Sequence, residues 1–250
     1  MDAPARAVSG LTSSAQALLV AAAAQALPHG VILYVVPSDG DLEPAVGDVR
    51  FFASALEGLS ELDTERTILP FPSHEVDPYR GLAPHFGVAS ARARALHAMA
   101  AGTARVVVAS AAALLPRVTP PARLLGASID LKPGQEIAPA DLADLLVDAG
   151  FSREDPVDEH GEFAARGGIL DLYPAGEAQP VRLEFIGDTI ESMRRYDPAT
   201  QRSVAPVDQL LVVPLTDVLA ANPTADLKIR TTPDWKAVKA CKSAASARQT

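Results

Sequence analysis

Two patterns of hydrophobic positions divide this chain of 250 residues. In the first half, short unbroken apolar runs alternate with longer Ala- and Leu-rich stretches. Val31-Ile-Leu-Tyr-Val-Val36 is one such run, closed by Pro37, and Arg105-Val-Val-Val-Ala109 is another. A strand apolar at every position reads as buried on both faces, as in a parallel sheet flanked by helices. Thr67 to Phe71 predicts a third, shorter strand. Between them, Ser13 to Leu27 predicts a helix stopped by Pro28, and Val88 to Ala101 a helix closed by Gly102. Asp39 to Leu56 predicts a further helix, with Gly40, Pro44 and Gly47 as its weak points. Ala111 to Leu115 reads as a short helix before Pro116. The order is βαβ, so this half is expected to be a small parallel sheet with helices on its faces.

The second half changes period. After a helix from Pro139 to Ala149, ended by Gly150, come short strands separated by turn residues. They are Gly161 to Ala165, Gly168 to Pro174, Val181 to Ile186 and Thr189 to Tyr196. Gly187-Asp188 is a two-residue hairpin turn between the last two. In Val181 to Ile186, alternation puts Val181, Leu183 and Phe185 on one face and Arg182, Glu184 and Ile186 on the other. If the first set faces the core, Ile186 is an apolar residue on the outside, near Arg182. Arg166 precedes the Gly167-Gly168 pair on a neighbouring strand. An exposed arginine beside an aliphatic residue suits a protein-contact surface, although an ordinary half-exposed strand has the same pattern. The overall fold class expected is α/β, with an antiparallel α+β module following a boundary near Arg123 to Ser128.

Composition narrows the function classes. The chain is 48% hydrophobic and 21% charged, which suits a folded protein with a real core. With 22 Lys+Arg against 31 Asp+Glu, the net charge is −9. Unaided binding to nucleic acid needs clustered cations and is not expected. A single cysteine, Cys241, excludes an internal disulfide framework and a cysteine-rich zinc site. The N-terminus lacks a basic-then-apolar leader pattern. The longest apolar stretch, Ala17 to Leu27, is too short to span a bilayer, so no membrane partner and a cytoplasmic location are expected. Residues 223–250 reverse the charge balance, with six basic and two acidic residues, and show no periodicity. A poorly ordered tail over 216–250 is the expectation.

Candidate chemistry is sparse. In a βαβ fold a phosphate site belongs in the loop entering the first helix. Here that loop is Gly10-Leu-Thr-Ser-Ser-Ala-Gln-Ala17, which has a glycine and hydroxyls but no Gly-Lys-Ser/Thr. Without lysine nothing holds the γ-phosphate. The segment reads as a vestigial loop or as a plain helix cap by Ser13 or Ser14, and neither hydrolyses ATP. No Gly-x-Ser-x-Gly elbow is present. His74, Glu75 and Asp77, with His85 further on, share a loop without metal-ligand spacing. Asp158, Glu159, His160 and Glu162 could form an acid/base pair, but a solvated turn is the simpler reading. No catalytic residue, cofactor or metal is assigned.

Four linked segments then carry a resemblance. They are Gly161-Glu-Phe-Ala-Ala-Arg-Gly-Gly-Ile-Leu-Asp-Leu-Tyr-Pro174, Val181-Arg-Leu-Glu-Phe-Ile-Gly-Asp188, Ile190-Glu-Ser192 and Asp197-Pro-Ala-Thr-Gln-Arg-Ser203. In order and spacing they resemble the N-terminal part of transcription-repair coupling factor. UvrB, an excision-nuclease subunit, shares a related module. Gly10 to Ser14, Leu69 to Phe71, Asp77 to Tyr79 and Pro84-His85 look like the first domain of the same family, so the likeness spans about residues 8–215. It implies a degenerate helicase-like α/β lobe over 1–125, rejoined by 206–215, with a UvrA-binding domain inserted over 126–205. It implies UvrA as partner and excision repair as the setting. By position, Arg166 and Arg182 match arginines of the family's UvrA-contacting surface. Ile186 matches a position where the family usually has a second Phe. The full family protein continues into an RNA-polymerase-binding domain and a double-stranded-DNA translocase, and this sequence matches neither. RNA polymerase and double-stranded DNA are therefore not expected as partners of this chain alone. The competing reading is a nucleotide-handling enzyme built on the α/β lobe.

Overall fold

The computed structural model describes residues 7–27, 29–76 and 84–219. The tail of residues 223–250, Cys241 and Asp77-Pro-Tyr79 lie outside these residues. The chain is α/β and divides into two compact units, Met1–Ala83 with Ala101–Pro116, and Pro84–Ala100 with Arg117–Thr250.

In the first unit, strands β1 (Ile32–Val36) and β2 (Ile68–Phe71) flank β3 (Val106–Ser110) in a parallel sheet. Every residue of the central β3 is buried, as its Val-Val-Val run demands. The run in β1 is not. At the sheet edge its burial alternates, and Leu33 and Val35 stay about half exposed. Being apolar at every position therefore marked a strand here without fixing both its faces. Helix α1 (Ser13–Ala26) presents Ala17, Ala21 and Ala24, three small residues on one stripe. They join Val46, Val49 and Ala53 of α2 (Leu42–Glu57) in one hydrophobic cluster. The helix predicted over Asp39 to Leu56 is two pieces, a 3-10 turn at Asp39–Asp41 and then α2. Pro44 falls in the first turn of α2, where its missing N–H costs nothing. Gly58, at φ 69°, ends α2 in the left-handed conformation that glycine adopts without strain. Helix α3 (Glu61–Thr67) was not predicted. Its signal is short: Ser60 caps it by accepting the Asp63 amide at 3.1 Å.

The second unit begins with α4 (Phe86–Ala101), which lies in this unit up to Ala100. The expected division at 123–128 placed this helix in the first lobe. The structure instead puts Ala93 of α4 in one core with the antiparallel strands. A charge pair explains the rest. Arg92 is fully buried, and its Nε donates to Asp217 Oδ2 at 2.9 Å. Removing one member of such a buried charge pair typically costs ~3–5 kcal/mol. The Asp217 carbonyl also accepts the Thr119 amide at 2.7 Å, so three distant segments meet at this residue.

Helix α5 (Pro121–Ala127) opens with proline at its first turn and leads into β4 (Ile129–Leu131). Helix α6 (Pro139–Asp148) buries Leu142 and Leu146 against a six-stranded sheet. Its strands are β5 (Ser152–Arg153), β6 (Glu162–Arg166), β7 (Ile169–Leu172), β8 (Val181–Ile186), β9 (Thr189–Asp197) and β10 (Arg202–Pro206), laid side by side in reverse chain order. Strand β11 (Leu210–Val212) pairs antiparallel with β4. The sequence expectation was that 206–215 rejoins the first lobe. Val207, Leu210, Val212, Val213 and Leu215 are instead part of the core that holds the six-stranded sheet. These residues are apolar whichever sheet they enter, so composition alone could not direct them.

Candidate functional site

The register of β6 to β9 fixes which side chains share a face. Cross-strand partners point to the same side of a sheet. On the core side Phe163, Leu172 and Val181 form one row, and Leu170, Leu183 and Met193 belong to the next. All six are buried. On the opposite side one row reads Ala164, Asp171, Arg182, Arg194, and the next reads Arg166, Ile169, Glu184, Ser192. Ile186, paired with Thr189, lies beyond Glu184 at the same end of the sheet. Rows are separated by about 7 Å along a strand and neighbouring strands by about 5 Å. Arg166, Arg182 and Ile186, singled out from the sequence, therefore share one face. The predicted alternation in β8 is what the structure has: Val181 and Leu183 are fully buried, Phe185 nearly so, and Ile186 is 68% exposed.

The three side chains differ in how they are held. Arg182 is tied down. Its Nε donates to Asp171 Oδ1 at 2.7 Å and its Nη2 to Asp171 Oδ2 at 2.8 Å. Nη2 also donates to Gln201 Oε1 at 3.1 Å, and the guanidinium lies 4.6 Å from the Tyr196 ring centroid. The hydrogen bonding of its guanidinium to the Asp171 carboxylate is the main reason the Arg182 pKa is raised above its ordinary value. Tyr196 beneath it is fully buried, and its hydroxyl has no hydrogen-bond partner among the described residues. Burial is the chief cause that pushes this phenol well above its ordinary pKa. Arg166 is looser. It pairs with Asp155, and both side chains are more than half exposed. Ile186 stands free at the β8–β9 turn, where Gly187 takes φ 62°.

The Arg166-Gly167-Gly168-Ile169 turn brings two strands close. Gly167 has φ 57°, and a Cβ at Gly168 would lie 3.0 Å from the Phe185 carbonyl oxygen. The Phe185 amide donates to the Gly168 carbonyl at 2.7 Å. This contact holds the Arg166 end of β6 and β7 against the Ile186 end of β8. Ile169, 40% exposed, is a second aliphatic residue on the face. Ile169, Asp171, Arg194 and Tyr196 escaped the sequence reading because alternation was followed only along β8. The same count along β7 and β9 gives all four.

The other candidate sites resolve into local structure. Glu162 Oε2 accepts the amides of Asp158 and Glu159 at 2.8 and 2.9 Å, so this carboxylate caps its own turn. His160 Nε2 lies 2.9 Å from the Glu177 carbonyl oxygen, and its ring packs on Tyr173. In the first unit the cap of α1 is Thr12, not Ser13 or Ser14: its Oγ1 accepts the Ala15 amide at 3.3 Å. Ser14 Oγ donates to Asp48 Oδ2 at 3.0 Å, and Gln16 Oε1 accepts from the Tyr34 hydroxyl at 3.1 Å. The side chains of Thr12, Ser14 and Gln16 are thus engaged within the fold. Among the described residues no helix is long and apolar enough to cross a membrane.

Comparison with known proteins bears on residues of this sheet. Residues 129–217 match the family of the UvrB interaction domain. The chain is 33% identical over 151 residues to the transcription-repair-coupling factor of Escherichia coli (strain K12), covering 60% of this chain and 13% of that protein. It is 34% identical over 201 residues to the same-named protein of Myxococcus xanthus, covering 78% of this chain and 16% of the relative. UvrABC system protein B of Mycobacterium tuberculosis is 36% identical over 115 residues, covering 46% and 16%. The chain thus spans 13–16% of the length of these relatives. Residues 129–217 are similar to the UvrB interaction domain family, on a chain similar to transcription-repair-coupling factors over more than half of its own length.

Proposed function

We propose that this chain is a protein-binding module of transcription-coupled nucleotide excision repair, which recruits UvrA through the outer face of its six-stranded sheet. The observation that carries the reading is the division of that sheet. One face is spent on the core, while the other leaves Ile186 and Ile169 exposed beside Arg166 and Arg182. An aliphatic patch flanked by arginines is the composition of an interface centre. The match of residues 129–217 to the UvrB interaction domain supports a protein partner of the excision system for this face. Arg166 offers a charge on a long, loosely paired side chain. Arg182 offers a guanidinium whose direction is set by Asp171, which lowers the ordering cost of a contact.

The module acts in the cytoplasm without an ATPase of its own, and neither RNA polymerase nor double-stranded DNA is its partner. The loop of Gly10 to Ala17 supports the absence of an ATPase: it contains no lysine, and its Thr12 and Ser14 hydroxyls bond within the fold. A ligand that binds only the folded state raises its melting temperature. Magnesium-ATP at millimolar concentration is therefore expected to leave the melting temperature unchanged, whereas a shift of several degrees contradicts this part of the reading. Co-elution of the purified 250-residue chain with purified UvrA in size-exclusion chromatography tests the main part. A shared peak is expected, and separate peaks at micromolar concentrations of both proteins contradict it.

A further inference from the structure

The outer face carries one cation that the fold does not use. Arg166 is offset by Asp155, and Arg182 by Asp171. Arg194, on β9, is exposed, and its side chain makes no hydrogen bond or ion pair among the described residues. It stands directly opposite Arg182 across the β8–β9 ladder. Side chains in such pairs have Cβ atoms about 5 Å apart, and like charges there are destabilising. Asp171 lies on the far side of Arg182 from Arg194, and both its carboxylate oxygens are taken. Glu184, in the next row, is held by the Ser192 hydroxyl at 2.6 Å. An arginine that stands opposite another arginine, packs against no core and points from the face assigned to the partner breaks a local rule with no gain inside the chain, as functional residues do.

From this placement we infer that Arg194 is a further specificity-determining contact of this surface, and that it meets an acidic side chain of the partner. The inference rests on the proposed function above. Arg194 completes a basic row with Arg182 on the side of the face away from Arg166, so the footprint extends across β9 rather than ending at β8. Because the Arg194 guanidinium is exposed and uncompensated in the free chain, its contribution is long-range attraction as well as contact. Such a charge acts chiefly on the association rate and its salt dependence.

Purified UvrA titrated by surface plasmon resonance against the full chain, at low and at physiological salt, tests this. The variants are Arg194→Gln and Arg202→Gln. Arg202 is likewise exposed and its side chain has no partner among the described residues, but its register with Asp197 puts it on the opposite face. Arg194→Gln is expected to weaken binding about 10-fold at low salt, mostly through the association rate, and to flatten the salt dependence. Its melting temperature is expected to stay level or rise slightly, since the like-charge pair is relieved. Arg202→Gln is expected to bind as wild type does. Wild-type binding with Arg194→Gln within twofold of it at both salts overturns the inference and leaves the proposed function standing. Equal losses in both variants overturn it too, because the effect is then overall charge and not a site. Absence of wild-type binding overturns this inference and the proposed function together.

Discussion

Asp171 on β7 grips Arg182 on β8 through two hydrogen bonds of 2.7 and 2.8 Å, and the pair lies across the middle of the outer sheet face. Asp171 is 7% exposed at its side chain and Arg182 22%. The geometry is the fork-to-fork arrangement in which guanidinium and carboxylate match. Asp171→Asn keeps the shape but replaces a charged acceptor with a neutral amide that can satisfy only one of the two donors. A loss of about 2 kcal/mol is expected, read as a lower urea midpoint with an unchanged slope. An unchanged midpoint shows that the pair contributes nothing to the fold.

Tyr196 gives a pH prediction. Its phenol is buried without a hydrogen-bond partner among the described residues, and burial raises its pKa in the folded state. A raised folded pKa contributes stability that is fully present below the unfolded value, about 10, and is lost as pH rises beyond it. Tyr34 and Tyr173 are shifted in the same direction and act likewise. Stability is therefore expected to fall from about pH 10 upward. Tyr196→Phe removes an unsatisfied hydroxyl, so at neutral pH it is expected to be neutral or stabilising by up to about 1 kcal/mol. It also reduces the alkaline decline. Denaturant titrations between pH 7 and 11 check both points, and a steeper alkaline decline in the variant contradicts them.

The Arg92–Asp217 pair ties α4 to residues that follow β11. Arg92→Ala leaves the Asp217 carboxylate without this partner and opens a cavity in a fully buried position. A destabilisation of about 3–5 kcal/mol is expected from thermal unfolding of the purified variant. Arg94→Ala, two residues further along the same helix, serves as the comparison. A loss under 1 kcal/mol for Arg92→Ala shows that the pair is not what joins these segments.

The three long helices and the seven main strands were legible in the sequence because each carries its pattern over enough residues. The strand alternation from Val181 to Ile186 needed no tertiary information, since one face must be apolar. What could not be read falls into two groups. β4, β5, β10 and β11 are two to five residues long, too short to show a period, and their pairing comes from partners distant in sequence. α4 is the second case. Its Ala-rich surface has no marked polar face, so nothing local says which core it joins, and the deciding contact is with Asp217, 125 residues away. Of the candidate site, Arg166, Arg182 and Ile186 were visible along the chain, whereas Asp171 and Tyr196 became part of it only through the ladder and the packing around Arg182.

Ile186, at the β8–β9 end of the face, is more exposed than Ile169, so its size is expected to tune binding. Ile186→Phe adds apolar area at a solvent-exposed position next to Gly187, where nothing in the fold opposes it. Tighter UvrA binding, by about 3- to 10-fold, is expected. Ile186→Asp is expected to abolish detectable binding while leaving the circular dichroism spectrum unchanged. Equal affinities for all three chains place the contact elsewhere.

The most direct test of the central claim is calorimetric titration of purified UvrA with the wild-type chain and with Arg166→Ala. Arg166 is more than half exposed and paired only with an equally exposed Asp155, so its removal is expected to leave the fold intact. An arginine at an interface centre typically contributes ~2 kcal/mol or more, which corresponds to a loss of about 30-fold in affinity. The account predicts a saturable wild-type isotherm and a loss of that size in the variant. A wild-type chain that releases no heat of binding, or a variant that binds as tightly as wild type, contradicts it.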